Sequence, residues 1–78
     1  MKILLADDEK TVRVTLTDAL KEAGHEVVAA ENGTDAAAAA ERQVFDCLIT
    51  DLRMPGIDGM ELIRRIKPKN PEIYILVI

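Results

Sequence analysis

The sequence predicts an α/β fold, a parallel sheet built in the order β-α-β-α-β-α-β, and three observations carry that reading. Continuous apolar runs begin at Ile3 and Ile73, and a third apolar stretch, interrupted at Asp46, begins at Val44. Such runs suit strands covered on both faces, as in parallel sheets. Between them lie segments whose apolar residues recur at helical spacing. Strands alternating with helices imply right-handed crossovers within one open sheet.

Taken in order, Ile3, Leu4, Leu5 and Ala6 form the first strand, which ends in Asp7-Asp8-Glu9. Val12, Leu16, Ala19, Leu20 and Ala23 then make one stripe of a first helix. Asp8 is its candidate N-cap and Gly24 a good residue to stop it. Glu26 to Ala30 is a second short strand, closed by the turn signal Asn32-Gly33. Thr34 can cap the second helix, and Asp35 suits the positive end of its dipole. Alanines 36 to 40 give that helix high propensity and make it thin enough to lie close to the sheet.

The third strand runs from Val44 to Asp51 and breaks at Pro55-Gly56. Asp58 and Glu61 have capping-box spacing, and Leu62, Ile63 and Ile66 supply the buried face of a third helix. Arg64, Arg65 and Lys67 favour its negative end, and Pro68 terminates it. Ile73 to Ile78 is the fourth strand and the most apolar segment of all.

The 78 residues make one small domain, 49% hydrophobic and 31% charged, as soluble globular chains are. A chain of this size buries only about 60% of the surface its unfolded form exposes, so its stability is marginal. With one Phe, one Tyr and no Trp, the core is aliphatic. Cys47, the one cysteine, has no partner for an intrachain disulfide and packs as a small hydrophobe, which fits a reducing, cytoplasmic setting. A net charge of -4 argues against nucleic acid as a direct partner. The N-terminal apolar stretch is too short for a signal-peptide core or a membrane span.

The site follows from topology. If the chain returns past the first strand to place the third, the strand order is 2-1-3-4 and strands one and three are neighbours. Their carboxyl ends flank the crevice where open α/β sheets bind ligands. Those ends carry Asp7, Asp8 and Asp51. Two carboxylates about 4 Å apart repel by roughly 4 kcal/mol at an effective dielectric near 20. A proton, a basic side chain or a metal ion must offset that. Oxygen ligands without His or Cys point to a hard cation, Mg2+ with retained waters.

Plainer roles compete at each position. Asp7 or Asp8 alone could merely cap the first helix. His25, with no acidic or Cys partner at ligand spacing, reads as a solvated turn residue, and Arg64, Arg65 and Lys67 as a solvated helix end. Met54, Met60, Cys47 and Thr50 read as packing residues.

With these residues in place, the chain resembles the receiver domains of two-component response regulators. The matching pieces are Leu4-Leu5-Ala6-Asp7-Asp8-Glu9, Phe45-Asp46 through Asp51, Met54-Pro55 and Gly59. The stretch Asp51 to Gly59 is most similar to receivers that precede ATPase-type transcription activators. The resemblance implies a flavodoxin-like doubly wound sheet. It implies that Asp51 is the phosphoacceptor, taking a phosphoryl group from a histidine kinase. It also implies that Asp8 binds Mg2+ directly, that Asp7 acts mainly through water, and that the backbone carbonyl of Arg53 completes the ligands beside Asp51. Pro55 and Gly59 would shape the loop that holds this carbonyl.

The family pattern has a fifth strand, so residues 1–78 read as the N-terminal part of a receiver, an incomplete sheet. A Ser or Thr beyond the fourth strand and a Lys ending the fifth lie outside it, and Lys67 and Lys69 fall in the wrong segment to replace that Lys. The expectation is weakened Mg2+ binding, slow or absent phosphorylation, and lost switching. The fourth strand becomes an unguarded edge, which predicts a homo-oligomer by edge pairing or a swap. Two other readings stand beside this one. One is a non-catalytic self-associating module. The other is a haloacid-dehalogenase-like phosphatase with Asp7 as nucleophile, since Asp7, Glu9 and Thr11 faintly match that loop.

Overall fold

The computed structural model describes residues 1–78. Its elements are β1 (Lys2–Ala6), α1 (Lys10–Glu22), β2 (Glu26–Ala30), α2 (Gly33–Arg42), β3 (Cys47–Thr50), α3 (Gly59–Ile66) and β4 (Tyr74–Val77). The four strands are parallel, in the order β2-β1-β3-β4, as expected. The register sets Leu4 beside Leu48, and Leu48 beside Ile75. Period-two alternation sends these residues to one face and Ile3, Leu5, Cys47 and Ile49 to the other.

The first face carries α2 and α3. Leu4, Ala6 and Leu48 pack there against Ala36, Ala39, Leu62 and Ile66, with Phe45, Met54 and Ile73 closing the ends. The alanines of α2 leave no bulk between helix and sheet, as the composition required. The second face carries α1 alone, laid over β1 and β2.

Several local expectations are corrected. The N-cap of α1 is Glu9, not Asp8, and no side chain caps that helix. Asp7 reaches forward to the Glu9 amide instead, which moves the helix start one residue on. The cap of α2 is Asn32 rather than Thr34, its side chain accepting from the Asp35 amide at 2.8 Å. Asn caps at least as well as Thr, and Gly33 can then occupy the first helical position. A β-carbon on Gly33 would collide with the carbonyl oxygen of Ile57, so α2 begins where only glycine fits.

The regular part of β3 is shorter than Val44–Asp51. Val44 points to solvent, Phe45 tucks beneath the helices, and Asp51 stands just past the ladder, its amide still bonded to the Ala6 carbonyl. In α1 the half-buried residues are Val12, Arg13, Leu16, Thr17 and Leu20, while Ala19 and Ala23 are exposed on the outer flank. Met60 is also exposed, although Met54 is in the core.

Other expectations hold. Gly24 ends α1 with φ 95°. The Gly24 amide donates to the Lys21 carbonyl and the His25 amide to the Leu20 carbonyl, which together form a Schellman motif. Asp58 caps α3 by accepting from the Glu61 amide at 2.8 Å. Only half of the capping box forms, because the Glu61 carboxylate turns to Arg64 and Arg65. No helix is long and apolar enough to cross a membrane.

Candidate functional site

β1 and β3 lie side by side, and each ends in acid. Asp7 and Asp8 follow Ala6, and Asp51 follows Thr50. The crossover through β2 and α2 places these ends together, and one carboxylate oxygen from each of Asp7, Asp8 and Asp51 lies within 4.8 Å of the others. The convergence expected from the sequence is therefore present.

Hydrogen bonds divide the carboxylates' oxygens unequally. Asp7 is buried; its Oδ1 accepts from the Glu9 amide at 2.8 Å, which leaves Oδ2 free. Asp51 is half-buried; its Oδ1 accepts from the Arg53 amide at 3.1 Å, again leaving Oδ2. The Asp8 carboxylate is exposed and takes no hydrogen bond from the protein. Backbone donors thus orient Asp7 and Asp51, and Asp8 keeps both oxygens for an outside partner.

No basic side chain neutralises this group. The ion pairs of the chain are Lys2–Glu26, Arg64–Glu61, Arg65–Glu61 and Lys69–Glu41. At a separation of 4.8 Å each pair of carboxylates repels by roughly 1 to 3.5 kcal/mol, between waterlike and proteinlike dielectric. An all-oxygen donor set with free, convergent lone pairs and uncompensated charge fits a hard divalent cation.

The backbone around Asp51 is tightly held. The buried Thr50 hydroxyl donates to the Asp51 carbonyl at 2.8 Å, and the Gly59 amide donates to the Leu52 carbonyl at 3.0 Å. A β-carbon on Gly59 would strike the Asp51 carbonyl oxygen, just as one on Gly33 would strike Ile57. The loop between β3 and α3 is therefore pinned at both ends, against α3 by Gly59 and against α2 by Gly33. Arg53 lies in this loop, and its main chain is fixed at the site by the bond to Asp51.

Sequence reasoning read Thr50 as core filling and missed its bond to Asp51. It also missed Arg13, whose Nη1 donates to the Asp7 carbonyl at 2.9 Å, although a basic residue on the inner flank of an apolar stripe was a visible signal. Lys67 and Lys69 are far from the carboxylates in role and place. Their ammonium groups bind the Ile73 carbonyl and Glu41, at the amino end of β4. His25 faces the N-terminal amine and no acid. A cavity of about 480 Å3 lies between α2 and α3 over Phe45, Ile66 and Ile73, and touches none of the three aspartates.

A family model described as the response regulator receiver domain matches residues 3–78. The response regulator receiver protein CpdR of Brucella abortus is 39% identical over 77 residues, covering 99% of this chain and 64% of that protein. The DNA-binding transcriptional regulator NtrC of Salmonella typhimurium is 34% identical over 76 residues, covering 97% of this chain and 16% of that protein. Among solved structures, the response regulator protein TrrA of Thermotoga maritima, in complex with Mg(2+)-BeF, superposes with a TM-score of 0.90 at 37% identity. That match covers 97% of this chain and 66% of the other. The chain thus spans less than two thirds of each of these relatives.

Proposed function

The chain belongs to the response regulator receiver domain family of two-component signalling, and from that premise we propose that Asp51 is its phosphoacceptor. Residues 1–78 are read as the N-terminal part of such a domain, because the matched proteins are longer. The observation that carries the reading is the free Asp51 oxygen converging with those of Asp7 and Asp8 within 4.8 Å.

The partner is a histidine kinase in the cytoplasm. The free Oδ2 of Asp51 attacks the phosphorus of a phosphohistidine. The phosphorus–nitrogen bond breaks, its electron pair returns to the imidazole, and an acyl phosphate forms on Asp51. The Arg53 amide holds Oδ1, so the attacking oxygen has a fixed direction. Mg2+ would be held by Asp8 and Asp51 directly, by Asp7 largely through water, and by the Arg53 carbonyl; it supplies charge neutralisation for the phosphoryl oxygens. The protein is a stoichiometric acceptor, not a turnover enzyme.

Lys67 and Lys69 are engaged at the other end of the sheet, so neither stands in for the lysine that the family pattern places on a fifth strand. Phosphorylation of this chain alone is accordingly slow. Incubation with Mg2+ and acetyl phosphate adds one phosphoryl group by intact mass, and Asp51→Asn abolishes it. Retention of the group in Asp51→Asn refutes the assignment. Family membership weighs against the phosphatase reading with Asp7 as nucleophile, and so does the burial of Asp7.

A second property concerns β4. The Tyr74 and Ile78 amides bond to the carbonyls of Asp46 and Thr50, so Ile75 and Val77 turn their backbone groups outward. That edge has no charge and no proline, and as this 78-residue chain it pairs with a second copy, directly or by a swap. Light scattering with and without Mg2+ and beryllofluoride measures the mass. A monomer at micromolar concentration excludes the pairing.

A further inference from the structure

Arg13 lays its head group on the main chain of the acidic loop. From the second turn of α1 its Nη1 reaches back across the helix N-terminus to the Asp7 carbonyl, at 2.9 Å. It forms no ion pair, although three carboxylates occupy the same corner. A side chain serving to neutralise the cluster would sit on a carboxylate oxygen. This one sits on the main chain.

Its bond completes a frame. The Asp7 amide donates to the Ala30 carbonyl, Asp7 Oδ1 accepts from the Glu9 amide, and the Asp7 carbonyl accepts from Arg13. Glu9, the N-cap of α1, makes no capping bond of its own. The turn from Asp7 to Glu9 therefore depends on two side-chain bonds, one made by Asp7 and one by Arg13.

We infer that Arg13 is a positioning residue for cation binding, gripping the Asp7 carbonyl so that Asp7 and Asp8 face Asp51. The inference rests on the cation site proposed above. Two effects of Arg13 oppose each other. As a positive charge it repels a metal ion, so its removal would tighten binding. As a clamp it preorganises two of the ligands, so its removal weakens binding. The clamp dominates, because the charge is spread over a planar guanidinium committed to a carbonyl, while partners that orient metal ligands are commonly worth an order of magnitude in affinity.

The opposite signs make the test sharp. Mg2+ is titrated into the wild-type chain, Arg13→Gln, Arg13→Lys and the control Arg42→Gln, following the Asp8 and Arg53 amide signals by NMR. Arg42 lines the same cleft beside β2 and bonds to neither Asp7 nor Asp8. Arg13→Gln binds Mg2+ about tenfold more weakly. Arg13→Lys keeps the charge but loses the planar fork, and falls between Arg13→Gln and wild type, while Arg42→Gln matches wild type. Unchanged or tighter binding in Arg13→Gln overturns the inference.

A metal-free measurement stands beside it. Hydrogen exchange of the Glu9 amide, compared with the amides of β1, speeds up in both Arg13 variants, and unchanged exchange overturns the inference as well. If the wild-type chain shows no Mg2+ binding, the cation reading falls, and the Glu9 exchange still decides whether Arg13 holds the turn.

Discussion

The two faces of the sheet are built from alternate residues of the same strands, yet they are packed to different depths. On the α2/α3 face eleven buried residues form one cluster; on the α1 face there are three, Ile3, Leu5 and Ile49, backed by half-buried Leu16, Leu20, Val27 and Cys47. No residue of α1 is itself buried. The helix ends differ in the same sense: Asn32 and Asp58 cap α2 and α3 with their side chains, whereas Glu9 does not cap α1. Tyr74 and Leu76 pair with Cys47 and Ile49 and so turn toward the α1 side, where they remain 68% and 54% exposed. The lesson is where rigidity has been placed. The loop carrying Asp51 and Arg53 is pinned to α2 and α3, the well-packed side, by the close approaches at Gly33 and Gly59.

The contrast is broken most directly by truncating one leucine from each side. Leu62, fully buried on α3, should cost about 2–5 kcal/mol as Leu62→Ala. That is a large share of the roughly 4–12 kcal/mol a chain of this length has in total. Leu20→Ala, on the half-buried stripe of α1, should cost about 1 kcal/mol. Urea unfolding followed by circular dichroism measures both, and equal losses would show that the two faces share the load.

The caps give a smaller test of the same kind. Asn32→Ala and Asp58→Ala each remove a bond to a backbone amide and should lower stability by about 1 kcal/mol. Glu9→Ala removes no capping bond and should stay within about 0.5 kcal/mol of wild type.

The sequence made the well-packed side and the acidic site easier to read than the other side. The apolar strand runs and helical stripes led to the element order, and the order led to the pairing of β1 with β3. Asp7, Asp8 and Asp51 then had to meet. What escaped was everything decided by close approach. The choice of Asn32 over Thr34 depends on Gly33 backing onto Ile57, a contact between segments distant in the chain. The bonds of Arg13 and Thr50 end on main-chain carbonyls, which leave no signature in side-chain spacing. For α1 the stripe was legible, but its contacting flank turned out to run through Arg13 and Thr17 rather than Ala19 and Ala23.

Cys47 offers the finest probe of the thin face, because its thiol points there from β3. Burial, and then the charge of Asp46, push its pKa above the ordinary 9.0. The folded chain therefore holds the thiol proton to higher pH than the unfolded chain does. Between the ordinary value and the raised one the folded state binds more protons, so this group leaves stability unchanged below about 9.0 and lowers it as pH rises further. The reactive thiolate is correspondingly scarce at neutral pH. Iodoacetamide should modify native Cys47 more slowly than the urea-unfolded chain at neutral pH, with the native rate climbing as pH passes 9.0. Mass spectrometry over a pH series reads the rate. A native rate equal to the unfolded one would mean that α1 does not shield this face, and complete inertness at high pH would mean that the face is sealed as fully as its opposite.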